Sequence, residues 1–135
     1  MIIKIENTIN APILKVWEAY TEPKHIVNWN FASEDWFCPK AESDFRVGGK
    51  YQARMEAKDG SFGFDFEAEF DEIKPEEKLV YTIADGRKVI TSFQKENNQT
   101  KIITEFEAEN QNPVEMQREG WQAILDNFKK YVEKN

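Results

Sequence analysis

One histidine, one cysteine and no clustered metal ligands limit the chemistry open to this chain. His25 follows Pro23-Lys24 in a short helical stretch. A histidine base needs an orienting partner and a nucleophile or substrate within reach, and the sequence places none beside it. A structural role is the expectation. Cys38 has no second cysteine to bridge to and no neighbouring histidine, so it reads as an inert thiol and not as a nucleophile. No HExxH and no paired-histidine carboxylate set occurs, so no metal is expected. Gly48-Gly49 is not followed by a helix start, so it reads as a turn and not a phosphate loop, and no cofactor is expected.

Rings are what the chain has in quantity: ten Phe, four Trp and four Tyr, 13% of its residues. Large rings either fill a core or line a cavity that takes an apolar ligand. The candidate lining is Trp17, Trp29, Phe31, Trp36, Phe37, Tyr51, Met55, Phe64, Phe66, Tyr81, Phe93, Trp121, Leu125 and Phe128, with Thr91 as a polar contact. Trp29 to Phe37 carries four of these rings in a stretch without helical or strand period, which suits a lid or lip. Packing of the same rings into a solid core is the competing reading. Asp44 and Arg46, two residues apart, either pair with each other or orient a ligand at a cavity mouth.

These residues need elements to position them. Ile3, Ile5 and Ile9 alternate with polar neighbours, which predicts a first strand. Asn10 and Pro12 signal a helix start, and Ile13, Val16, Trp17 and Tyr20 follow at helical spacing. Pro23 opens a second short helix to about Trp29. From about residue 40 the period becomes two. Its clearest run is Phe62, Phe64, Phe66, Ala68 and Phe70 against Asp65, Glu67, Glu69 and Asp71, a strand with one aromatic and one acidic face. Gly48-Gly49, Asp59-Gly60, Asp85-Gly86 and Asn97-Asn98 separate such runs and suit tight hairpins. Asn112-Pro113-Val114-Glu115 reads as a capping box opening a helix over 113–133. That helix would be about 30 Å long, enough to lie across a six-stranded sheet.

The sum is one α+β domain over residues 1–135: a curved antiparallel sheet of about six strands wrapped around a long C-terminal helix, with two short helices after the first strand. The net charge of −7 argues against nucleic acid and against anionic membranes. No apolar run is long enough to cross a bilayer, and a cytoplasmic location is the default. The acidic stripes read as a solvated face, with docking of a basic partner as the second reading. Gly120, inside the long helix, signals either close approach to a strand or room left for a ligand.

The chain resembles the helix-grip, START-like (SRPBCC) superfamily, in the branch homologous to the C-terminal domain of the heat-shock-protein-90 ATPase activator. The matching pieces are Ala11-Pro12 before Val16-Trp17, Tyr20-Thr21-Glu22-Pro23, Trp29, Asp44-Phe45-Arg46-Val47-Gly48-Gly49, Ile73 to Leu79, and Met116 to Leu125 with Gly120-Trp121. They span almost the whole chain. The resemblance implies the grip fold and a cavity between sheet and helix, while the superfamily hosts several functions. Three readings stand at this point. The first is a binding module for a hydrophobic, aromatic or lipid-like small molecule. The second is a protein-interaction domain related to chaperone activators. The third is a small cyclase or hydrolase with Tyr81, Thr91, Asp44 or Arg46 as polar contacts. No nucleophile–base pair can be named, which disfavours the enzyme.

Overall fold

The structure, a computed structural model, describes residues 1–135. In chain order the elements are β1 (Ile2–Ile9), α1 (Ile13–Thr21), α2 (Pro23–Ile26), β2 (Trp36–Ser43), β3 (Lys50–Ala57), β4 (Gly63–Lys74), β5 (Lys78–Ile83), β6 (Lys88–Glu96), β7 (Gln99–Glu107) and α3 (Val114–Lys134). The strands form one antiparallel sheet in the order β1-β7-β6-β5-β4-β3-β2, curled into a half-barrel. The meander from β2 to β7 turns at the expected pairs. Positive φ at Gly48, Gly60, Gly86 and Asn97 supplies the local twist those hairpins require.

The sheet has seven strands, one more than the sequence suggested. The additional strand is β2, hidden in the segment that lacked a period. Its pairing with β3 shifts register between Phe37 and Lys40, around Pro39. A proline cannot donate to the ladder, and a bulge breaks the alternation, so the strand leaves no clean pattern. Both features are tolerated because β2 is an edge strand. The second helix stops at Ile26, short of the expected Trp29.

α3 differs from expectation at its start. It does not start on a capping box: Pro113 precedes it and Asn112 caps nothing through its side chain. Gln117 fixes the start instead. Its amide donates to the carbonyls of Asn112 at 2.8 Å and Glu109 at 3.1 Å, and its Oε1 accepts from the Glu109 N–H at 2.9 Å. The helix approaches β1, the edge strand opposite β2, most closely, and turns Trp121, Ile124 and Leu125 to the concave face of the sheet. Gln122 donates to the Glu6 carbonyl, Lys129 Nζ to the Thr8 carbonyl at 2.7 Å, and Asn7 to Asp126 at 2.8 Å. The helix thereby covers an edge that would otherwise offer free backbone groups.

The core sits between α3, α1 and the concave face of the sheet. Ile3, Ile9, Val16, Val89, Ile102, Phe106, Phe128 and Val132 are almost inaccessible to solvent. The convex face carries the acidic stripes, offset across strands as charge alternation suggests. Lys50 meets Glu69 at 2.6 Å, Lys88 meets Asp71 at 3.1 Å and Arg54 meets Asp65 at 3.5 Å.

The two notable glycines behave oppositely. A Cβ at Gly120 would meet nothing within 4 Å, so close approach is not its reason. A Cβ at Gly49 would collide with the Asp44 carbonyl oxygen. Gly120→Ala should therefore raise the urea-unfolding free energy by about 1 kcal/mol, the helix-propensity difference. Gly49→Ala should lower it, because the clash is with backbone.

Candidate functional site

A cavity of about 190 Å³ lies between α3 and strands β3, β4 and β5. The sheet contributes Ile5, Ser43, Tyr51, Met55, Phe64, Phe66, Phe70, Leu79, Tyr81 and Thr104, and α3 contributes Trp121, Ile124 and Leu125. Tyr20, Thr21, Ile26, Trp29, Asn30 and Phe45 close it from α1, α2 and the loops. Alternation explains the sheet contribution: Tyr51 and Met55 share a face of β3, while Phe64, Phe66 and Phe70 share a face of β4. Ladder register places Met55 opposite Phe64 and Tyr51 opposite Ala68.

Rings hold the walls apart. Trp121 stacks on Phe106 of β7 with centroids 4.0 Å apart and planes nearly parallel. Its other neighbour is Phe66, edge-on at 6.4 Å. At one end Tyr20, Trp29 and Phe128 form a mutually packed triplet, with Trp29 against Phe128 at 4.8 Å. The Trp29 indole N–H donates to the Ala19 carbonyl at 2.9 Å, and Asn127 of α3 donates to the Trp29 carbonyl at 2.8 Å. Those two bonds tie the post-α2 segment to both helices. Two lining rings reach solvent, Phe64 at 42% exposure and Phe45 at 39%, and so mark where the wall is thin. Phe64 belongs to a surface trio with Trp36 and Phe62. Phe45 packs edge-on against Trp17 and Phe70.

Eight of the residues singled out from the sequence stand on this wall: Trp29, Tyr51, Met55, Phe64, Phe66, Tyr81, Trp121 and Leu125. Seven stand elsewhere. Trp17, Phe93 and Phe128 pack into the aromatic core around Tyr20. Thr91 is fully buried beside Thr104, their hydroxyls 3.4 Å apart, behind the wall. Trp36 joins the surface trio, and Phe31 and Phe37 are half-buried outside the lining. Several wall residues were not singled out. Ile5, Phe70 and Leu79 were legible by alternation, and Tyr20 by its helical face. Ser43 and Phe45 had no signal, because they flank the irregular β2–β3 connection.

The electrostatic character of the cavity is simple. No Lys, Arg, Asp, Glu or His side chain lines it. Its ionisable groups are three tyrosines, all pushed above the ordinary tyrosine value. Burial is the main cause for each. Hydrogen bonds from Thr91 and Thr104 partly counter it at Tyr20, whereas Tyr51 and Tyr81 are raised further by neighbouring tyrosines. The phenols therefore stay neutral donors.

Other chemistry-bearing groups lie apart from the cavity lining. His25 Nδ1 is 2.7 Å from the Tyr131 hydroxyl, which pins α2 to α3. Cys38 is buried beside Ala53 and Met55 and its thiol is pushed up by burial. Arg46 pairs with Asp44 at 2.8 Å on the exposed loop, not at the cavity. No three His, Cys, Asp or Glu side chains converge as a metal site would require. No helix is long and apolar enough to cross a membrane.

Residues 10–133 match the family model described as Activator of Hsp90 ATPase homolog 1-like protein. The chain belongs to this AHSA1 family. It is similar to the solution structure of an AHSA1-like protein from Aeromonas hydrophila, with 42% identity over 99% of this chain and 93% of that one, at a TM-score of 0.93. A Cytophaga hutchinsonii protein is 45% identical over 98% of this chain and 92% of its own, at a TM-score of 0.84. A Chromobacterium violaceum protein, 24% identical, shares the fold over 100% of this chain and 99% of its own, at a TM-score of 0.89. No curated protein matches the chain. The AHSA1 assignment agrees with the START-like resemblance and with the grip architecture.

The raised tyrosines predict an alkaline effect with a definite sign. Their folded values lie above the unfolded value of about 10, so their stabilising contribution is complete below that pH. As pH rises further, the unfolded chain releases protons that the folded chain retains, and stability falls. Urea midpoints measured up a pH series should decline beyond pH about 10. The decline should be shallower in the double variant Tyr51→Phe/Tyr81→Phe, which leaves the surface lysines to titrate as before.

Proposed function

We propose that this AHSA1-family protein is a binding module for a small hydrophobic molecule held in the cavity between α3 and the sheet. The observation that carries this reading is a void of about 190 Å³ whose 19 lining residues include 15 hydrophobic ones and no charge. Native interiors pack at crystal density, so the rings around this partly open recess leave room that a fully packed core would not. An engineered apolar cavity of about 150 Å³ takes up benzene. The present one suits a substituted single ring better than a long-chain lipid, for which pockets of roughly 300 Å³ and more are usual.

The exposed Phe64 and Phe45 offer an entry route. A displacement of either ring opens the wall without disturbing a strand pairing or a buried hydrogen bond. Binding needs no covalent step, and the lining holds no nucleophile beside a base.

Filling the void separates this reading from an inert packing defect. Leu125 is buried and faces the cavity. Leu125→Phe should change the unfolding free energy by less than about 1 kcal/mol, because the added atoms enter empty space, whereas overpacking a filled core costs about 1–3 kcal/mol. Ligand-observed NMR with toluene should show binding to the parent chain and at least a tenfold loss in the variant. Equal binding to both, or none to the parent, would count against the cavity as the site.

A further inference from the structure

The apolar wall contains the hydroxyls of Ser43, Tyr51 and Tyr81, and the first of them has no partner in the protein. Ser43 and Tyr51 face each other across the β2–β3 ladder. The ring of Tyr81 lies 6.1 Å from that of Tyr51. Ser43 Oγ is the buried side-chain polar atom without a hydrogen-bond partner. Tyr51 and Tyr81 line the same cavity, and their hydroxyls are not among the buried orphans. Tyr20 has Thr91 and Thr104 as partners. Strands β2, β3 and β5 thus bring the hydroxyl-bearing side chains of Ser43, Tyr51 and Tyr81 to one cavity wall.

We propose that the hydroxyls of Tyr51, Tyr81 and Ser43 form a donor set for the oxygen of a neutral, ring-bearing carbonyl compound, whose apolar ring fills the remaining cavity. This rests on reading the cavity as a ligand site. A carbonyl oxygen offers two lone pairs and can accept from two hydroxyls together. A hydrocarbon of equal shape would leave Ser43 Oγ unpaired, the arrangement that buried polar groups avoid. A carboxylate fails differently. It would surrender its hydration in a chamber without a cation to replace it. Neutrality and an acceptor oxygen thus follow from the lining itself, and the cavity volume limits the partner to about one substituted ring.

Three probes of matched shape test the assignment: acetophenone, cumene and benzoate. Each places the same branched group on one benzene ring, as ketone, hydrocarbon and anion respectively. Amide chemical-shift titrations at neutral pH should give acetophenone about tenfold tighter binding than cumene, and no saturable shift with benzoate. In Tyr51→Phe/Tyr81→Phe the rings stay, so the fold should hold, as amide dispersion in the same spectra will report. Acetophenone should fall to the cumene level there while cumene is unchanged or tighter. Equal binding of acetophenone and cumene to the parent chain, equal losses for both in the variant, or benzoate binding as well as the ketone would overturn the donor assignment. Cumene binding in those cases would leave the cavity reading standing. Silence from all three probes would overturn both.

Discussion

The placement of α3 on the β1 edge is the constraint from which the interior follows. β1 and β2 are the two edges of the sheet, and an edge strand exposes unpaired backbone groups. The helix answers this at β1 with side chains of Gln122 and Lys129 that donate to the Glu6 and Thr8 carbonyls. Glu133 adds a further tie by accepting the Asn10 N–H at 2.7 Å. A helix is about 10–12 Å across, and neighbouring strands sit about 4.8 Å apart. Held closest to one edge, its backbone lies nearest the strands at the start of the order β1-β7-β6. Toward β5, β4 and β3 it reaches with side chains: Trp121 stands edge-on to Phe66 of β4, and Ile124 and Leu125 face the cavity that these strands line.

Aromatic side chains meet them from the sheet. Phe66, Phe70, Tyr51 and Tyr81 stand off β3 to β5 in edge-on and tilted contacts about 6 Å between centroids. α1 and α2 add Tyr20 and Trp29 from one end. Such rings are large and rigid, with few rotamers to adjust, so they bridge a wide gap without filling every corner. The residual void is thus a consequence of where the helix is held. Its polar groups are not. An unpartnered buried hydroxyl costs about 1–3 kcal/mol in general, and Ser43 Oγ is such an atom on this wall. Local rules of this kind are typically broken where a protein binds something.

Much of this architecture was readable from the residues. Period-two runs and turn pairs located β3 to β7, because half-buried strands must alternate and tight hairpins need positive φ. The aromatic face of Phe66 to Phe70 and the helical face of Trp121 and Leu125 could be read as facing surfaces for the same reason. β2 escaped because its edge position permits both Pro39 and a register shift, which together erase the alternation. The capping of α3 escaped because Gln117, four residues into the helix, reaches back to Glu109 and Asn112 over a path that no local motif describes. Within the aromatic set, a sequence states that a ring points inward and not whether another ring stands behind it. Trp17, Phe93 and Phe128 point inward as fully as Phe66, yet they meet α1 and one another instead of open space.

Charge is sorted with the same economy. The residues behind the net charge of −7 stand on the convex face, at loop positions and on the outer side of α3, where water and cross-strand lysines keep carboxylates ionised. The concave side holds aromatic, aliphatic and uncharged polar groups around the cavity. An anion approaching the molecule meets a repelling exterior, and one entering the cavity would lose its hydration without gaining a counter-charge. A cation is drawn to the exterior but meets the same desolvation inside, since neither carboxylate nor histidine faces the void. Strand alternation, which puts Glu67 and Glu69 outside whenever Phe66 and Phe70 are inside, builds a charged face and an uncharged one from a single run of sequence.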